Sequence, residues 1–242
     1  MKRVAIALAA VILSLSTITV AAPVVFEASG ASPADIQDAV NDFRAFLGDL
    51  NPNVVGSFPD GRREINWDGV PDAFADPNDL PANFFNLNSP RGAVFFTPGT
   101  AVRVSANSDN PTNTPVRFGS IHNQFPQLFS TFSPQRLFTA IDSNITEVLF
   151  FVPGTSVAAT VDGFGAVFTD VNSGNSTRID YFDVNGALLF SQNVLPGPTN
   201  RGSLSFLGVG FDAGERVFQV RITSGNRILK NPAKTSAALM CT

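Results

Sequence analysis

Residues 177–223, TRIDYFDVNGALLFSQNVLPGPTNRGSLSFLGVGFDAGERVFQVRIT, decide how this chain folds. Val184-Asn185-Gly186 separates RIDYF from ALLF, and Asn-Gly supplies the positive φ angles of a tight hairpin turn. In ERVFQVRIT the apolar Val217, Phe218, Val220 and Ile222 interleave with Gln219, Arg221 and Thr223, the pattern of a strand with one wet face. Apolar runs such as LSFLGVGF read as buried strand.

Working outward, the same signature of short β-rich runs punctuated by Gly, Pro, Asn and Asp extends back to residue 60. It predicts strands over 62–67, 93–96, 101–105, 136–141, 147–151, 158–168, 177–184, 187–192, 203–211 and 216–223, with a further one at 24–28. Many antiparallel strands about ten residues apart, with no βαβ alternation, predict an all-β antiparallel sandwich of jelly-roll-like type. One amphipathic helix precedes them. In SPADIQDAVNDFRAFLGDL, Ser32 stands at the N-cap, Pro33 at the first helical position and Asp35 completes a capping box. Ile36, Ala39, Val40, Phe43, Phe46, Leu47 and Leu50 form one apolar stripe, and Gly48 with Asn51-Pro52 supplies the stop. The expected organisation is a signal peptide at 1–22, helix and strands packed on the sandwich over 23–90, the sandwich core over 91–230, and an irregular tail at 231–242.

Lys2 and Arg3 precede an apolar run from Val4 to Val20 and then Ala21-Ala22-Pro23, the three regions of a secretory signal cut after Ala21 or Ala22. A one-span anchor begins similarly, but no basic stop-transfer cluster follows. Export outside the cell is the expectation. Removing residues 1–22 takes away two bases and no acid, leaving 14 bases against 20 acids and a net charge of about −6. An acidic chain without any basic run is a poor match for nucleic acid or anionic membrane, which need clustered Lys and Arg. Cys241 is the one cysteine, so no intramolecular disulfide forms, and cohesion falls to the core.

From Asn144 to Asn226 the motifs ITEVLFFVPGT, VDGFGAVFTDV, TRIDYFDVNGALLF and SLSFLGVGFDAGERVFQVRITSGN resemble secreted bacterial β-sandwich domains of the kind often found with a PEP-type C-terminal sorting signal. Upstream, GRREINWDGVP and NSPRGAVFFTPGT resemble a companion region of exported members. The resemblance implies a β-sandwich and export rather than a particular activity. It also implies one more C-terminal strand with an Asp-Asp-aromatic motif. Here the chain instead runs NRILKNPAKTSAALMCT, which leads us to expect one sheet a strand short, with its edge exposed.

The inventory for catalysis is thin. His122 is the single histidine, and GSIHNQF has no nucleophile-elbow spacing. Zinc wants several His or Cys ligands, which this chain lacks. The only glutamates are Glu27, Glu64, Glu147 and Glu215, none in a recognisable hydrolase motif, although a pair of aspartates remains open as acid and nucleophile of a carboxylate-dependent hydrolase. In INWDGVPDAFADPNDLP, Asn66, Asp68, Asp72, Asp76, Asn78 and Asp79 place six hard oxygen donors within 14 residues, with Gly69 between them. Two readings follow: a structural calcium loop, or an Asx-rich surface loop whose side chains cap backbone amides. Trp67 is the candidate platform for a sugar ring, or else a half-buried sheet residue, since 23 Phe against one Trp and one Tyr put most aromatic mass in the core. The expected function is therefore non-catalytic binding or scaffolding of an extracellular polymer or surface protein. A calcium-assisted carbohydrate-binding module is the first alternative.

Overall fold

A computed structural model describes residues 22–199 and 201–230; the expected signal segment up to residue 21 and the tail at 231–242, with Cys241, lie outside them. The fold is all-β and antiparallel. A three-stranded sheet has the order β1 (Val24–Gly30), β9 (Leu204–Gly210), β6 (Gly163–Thr169). A five-stranded sheet has the order β2 (Ala93–Phe96), β5 (Ile145–Phe150), β10 (Gln219–Thr223), β7 (Arg178–Phe182), β8 (Leu188–Asn193), and β3 (Ala101–Val104) pairs with β4 (Phe138–Ile141) as a ribbon. From β5 to β10 the chain changes sheet at every connection except the β7–β8 hairpin, the winding of a jelly-roll-like sandwich.

Alternation decides what each sheet buries. On β10, Val220 and Ile222 are fully buried, while Arg221 turns outward to Glu147 on β5, Nε to Oε1 at 2.6 Å, beside Gln219. Facing them across the sandwich are Leu207 and Val209 of β9, in one cluster with Val148, Ile179 and Phe95. Tyr181 ties the layers together: its ring is wholly buried and its hydroxyl donates to the Phe164 carbonyl on the opposite sheet at 3.1 Å. Burial pushes that phenol well above its usual range, so it stays a neutral donor.

β9 is buried on both faces because helix α1 (Pro33–Leu47) covers the outer one. The capping residues act as expected: the Asp35 carboxylate accepts from the Ser32 amide at 2.8 Å and from its hydroxyl, and these bonds draw its pKa down. Ile36, Val40 and Phe43 then pack on Leu204 and Phe206. Four glycines in two cross-strand pairs, Gly163–Gly210 and Gly165–Gly208, make this close approach feasible. A Cβ at Gly208 would lie 2.8 Å from the Phe43 ring, and one at Gly210 2.0 Å from the Phe46 ring. Bare backbone is the seat for the helix.

Several strands are shorter than the sequence suggests. The segment expected over 158–168 divides into isolated bridges at Ala158 and Val161 and then β6. The strand expected over 62–67 is absent: Arg62 makes one parallel bridge to Leu50, and the chain then enters a 3₁₀ turn at Trp67–Gly69 because the Asn66 side chain accepts the Asp68 amide. Gly208→Ala is expected to destabilise the fold by about 1–3 kcal/mol, the usual cost of overpacking, with the midpoint of thermal or urea unfolding as the readout. An unchanged midpoint would mean α1 does not rest on the glycine rows.

Candidate functional site

An open groove of about 1880 Å³ runs along the outer edge of β6. One wall is α1, with Phe43 and Leu47; the other comes from residues 118–144, including helix α2 (Phe125–Leu128), Phe129 and Phe132. Register fixes what β6 shows the groove. The Phe211 amide donates to the Asp162 carbonyl at 2.7 Å and the Asp170 amide to the Ser203 carbonyl at 2.9 Å, so the even-numbered residues exchange hydrogen bonds with β9. The peptide groups of Gly163, Gly165, Val167 and Thr169 therefore face away from β9, on the groove side. No described strand pairs with that edge.

Residues 57–64, with Gly48 and Asn51, line one mouth of the groove. Glu64 sits between two guanidinium groups, accepting Arg62 Nε at 2.7 Å and Arg44 Nη2 at 2.8 Å. Burial alone would raise its pKa, but the hydrogen bonds and charges of Arg62 and Arg44 prevail and hold it below the ordinary glutamate value. Arg63 is used differently. Its Nη1 donates to the carbonyls of Pro52, Val54 and Pro90 and its Nη2 to that of Gly56, which pins the loop, while its guanidinium lies 5.2 Å from the Phe58 ring centroid. Arg91 donates through Nε to the Glu64 carbonyl at 2.7 Å and through Nη1 to the Ser89 hydroxyl.

The carboxylates that suggested a calcium loop are engaged by Arg103 of β3 and by the segment Gln135-Arg136 just before β4. Asp68 accepts the backbone amides of Arg136 at 2.8 Å and Gln135 at 3.2 Å. Asp72 pairs with the Arg136 guanidinium, which is almost wholly buried and also donates to the Ser105 carbonyl. Arg103 stands between Asp76 and Asp79, at 3.4 and 2.6 Å. Burial raises the Asp76 carboxyl even though the Ser120 hydroxyl and Arg103 oppose it. Asn66 caps the 3₁₀ turn, and Asn78 is exposed. Sequence counts these oxygens but does not show that Arg103 and Arg136 fold back among them. Among the described residues no group of three or more His, Cys, Asp or Glu is placed to share a metal ion.

Trp67 lines the groove but stacks on Phe138 at 4.2 Å and meets Phe85 and Phe95 edge-on, so part of its indole belongs to the core. His122 is exposed at the groove rim; its Nδ1 accepts the Gln124 amide at 3.3 Å and its ring rests against Phe125. Arg63 and Arg91 were not candidates from sequence. The doublet Arg62-Arg63 was their one visible signal.

Two expectations follow. Asp72→Ala leaves the Arg136 guanidinium buried without its counter-charge and is expected to cost about 3 kcal/mol in denaturant unfolding, the lower end for breaking a buried pair; a cost under about 0.5 kcal/mol would mean the pair is immaterial. Glu64, with its folded pKa depressed, contributes stability that is present above the ordinary value of 4.5 and is lost as pH falls through the folded one. Glu64→Gln should flatten that acid limb of the melting profile, and an unaltered limb would refute the pairing.

No protein-family model, curated protein or solved structure matches this chain, so its function has to be argued from the groove itself.

Proposed function

We propose that this is a non-catalytic, secreted binding or scaffolding protein that holds an extended extracellular polymer in the groove beside β6. The observation that carries the reading is the groove: about 1880 Å³ along a strand edge whose alternate peptide groups lack a strand partner. Sites for small molecules enclose about 300–1,000 Å³, so this volume suits a chain-like ligand. Backbone donors and acceptors at a spacing of two residues suit the repeating polar groups of a polymer. His122, turned to a backbone amide and a phenyl ring, supports binding rather than acyl transfer.

The test is a ¹⁵N chemical-shift titration of the full mature chain with soluble fragments of cell-envelope and matrix polysaccharide. Saturable shifts at Gly163, Gly165, Val167 and Thr169 are expected. Shifts confined to the β8 edge, or none with any fragment, would refute the reading. Calcium-assisted carbohydrate binding through Asn66, Asp68, Asp72, Asp76, Asn78 and Asp79 has a separate signature, because a cation that binds only the folded state raises the melting temperature. The arginine pairing favours no change with millimolar calcium; a rise abolished in Asp68→Ala would favour the calcium reading instead.

A further inference from the structure

The groove mouth holds four arginines, Arg44, Arg62, Arg63 and Arg91, against three acids, Asp49, Asp60 and Glu64, a small excess of positive charge. Arg44 and Arg62 share Glu64, but Arg63 and Arg91 have no carboxylate partner among the described residues, and their hydrogen bonds go to carbonyls and one hydroxyl. Arg91 Nη2 has no described partner at all. Both guanidinium groups are partly buried, and burial lowers their pKa, with the nearby charge of Arg63 adding to the effect on Arg91. Holding two like charges close together in partly desolvated surroundings is unfavourable unless an anion joins them. This is a local reversal on a chain whose net charge is −4. Exposed Val54 and Val55, with Phe58 beneath the Arg63 guanidinium, form an apolar shoulder beside them.

We propose that Arg63 and Arg91 form an anion site at one end of the groove, and that the polymer held there is an acidic polysaccharide bearing carboxylate or sulfate groups. This rests on the groove reading above and gives that reading its ligand class. The guanidinium fork matches the planar oxygens of a carboxylate and the oxygens of a sulfate. Arg63 is fixed in advance by its four carbonyl partners, so little rotamer freedom is lost on binding. Arg91, with Nη2 unpartnered, supplies the direct contact.

The experiment compares dextran, dextran sulfate, polygalacturonate and sodium sulfate by calorimetry on the full mature chain, on Arg91→Gln and on Arg178→Gln, an exposed arginine outside the groove. The proposal expects both acidic polymers to bind, to weaken as salt rises, and to exceed dextran. Arg91→Gln should weaken them at least tenfold, with Arg178→Gln unaltered. If dextran binds as well as dextran sulfate, or Arg91→Gln binds as tightly as the parent, the anion site is refuted while the groove reading stands. If no polymer binds, charged or neutral, both fall. If sodium sulfate binds as tightly per anion as dextran sulfate, the site serves free anions and the polymer assignment is refuted. Should Arg91→Gln fail to fold, arginine Nε–Hε resonances of the parent decide: saturable shifts of Arg63 and Arg91 with sulfate support the site, and uniform, unsaturable shifts across exposed arginines show an adventitious ion only.

Discussion

The seating of α1 on glycine is the constraint from which the rest of the structure follows. Gly163, Gly165, Gly208 and Gly210 remove every Cβ from one patch of the β6–β9 pair, and Phe43, Phe46 and Leu47 occupy the space. With the helix this close, β9 is buried on both faces and can consist of apolar and small residues throughout. The helix also becomes one wall of the groove, and β6 becomes its floor. A bulkier residue in this patch would push the helix outward and change the groove as well as the core.

A second constraint is the distribution of arginine. The acidic segment after Trp67 takes up two arginines from elsewhere in the chain, Arg103 from β3 and Arg136 from the approach to β4. These pairs fasten an irregular segment to the β3–β4 ribbon, where regular strand pairing is absent. Arg44 and Arg62 are held by Glu64. Arg63 gives its donors to four carbonyls, which orders the 51–63 loop, and Arg91 gives one to a carbonyl and one to a hydroxyl, so neither charge is cancelled by its partners. Neutral partners fix geometry without cancelling charge.

How much of this was legible in the sequence depended on whether the signal was local. The helix from Pro33 to Leu47 was, because its Ser32 cap, the stripe from Ile36 to Leu47 and the Gly48 stop are all local; Leu50, expected on the same stripe, lies beyond the helix and is exposed. So were the β7–β8 hairpin and the alternation of β10, since Asn185-Gly186 and the interleaved polar residues are short-range patterns. The strand expected over 62–67 failed for the opposite reason: its β propensity was overridden by an Asn66 side-chain bond and by Arg63 contacts reaching back to Pro52 and forward to Pro90. The acidic loop was legible as a composition but not as an arrangement, because its arginine partners lie 24 to 68 residues away. Trp67 is half-buried, stacked on Phe138 and lining the groove, but it stands at the head of a 3₁₀ turn and not in a sheet.

β6 is paired on one side only, with its other edge turned to the groove. Native-state amide hydrogen exchange along 163–169 tests this directly in the unliganded protein. Slow exchange at Phe164, Ala166 and Phe168, whose amides donate to β9, should alternate with fast exchange at Gly165, Val167 and Thr169. Uniform protection along the whole strand would show that its outer edge is already occupied, and would contradict the account.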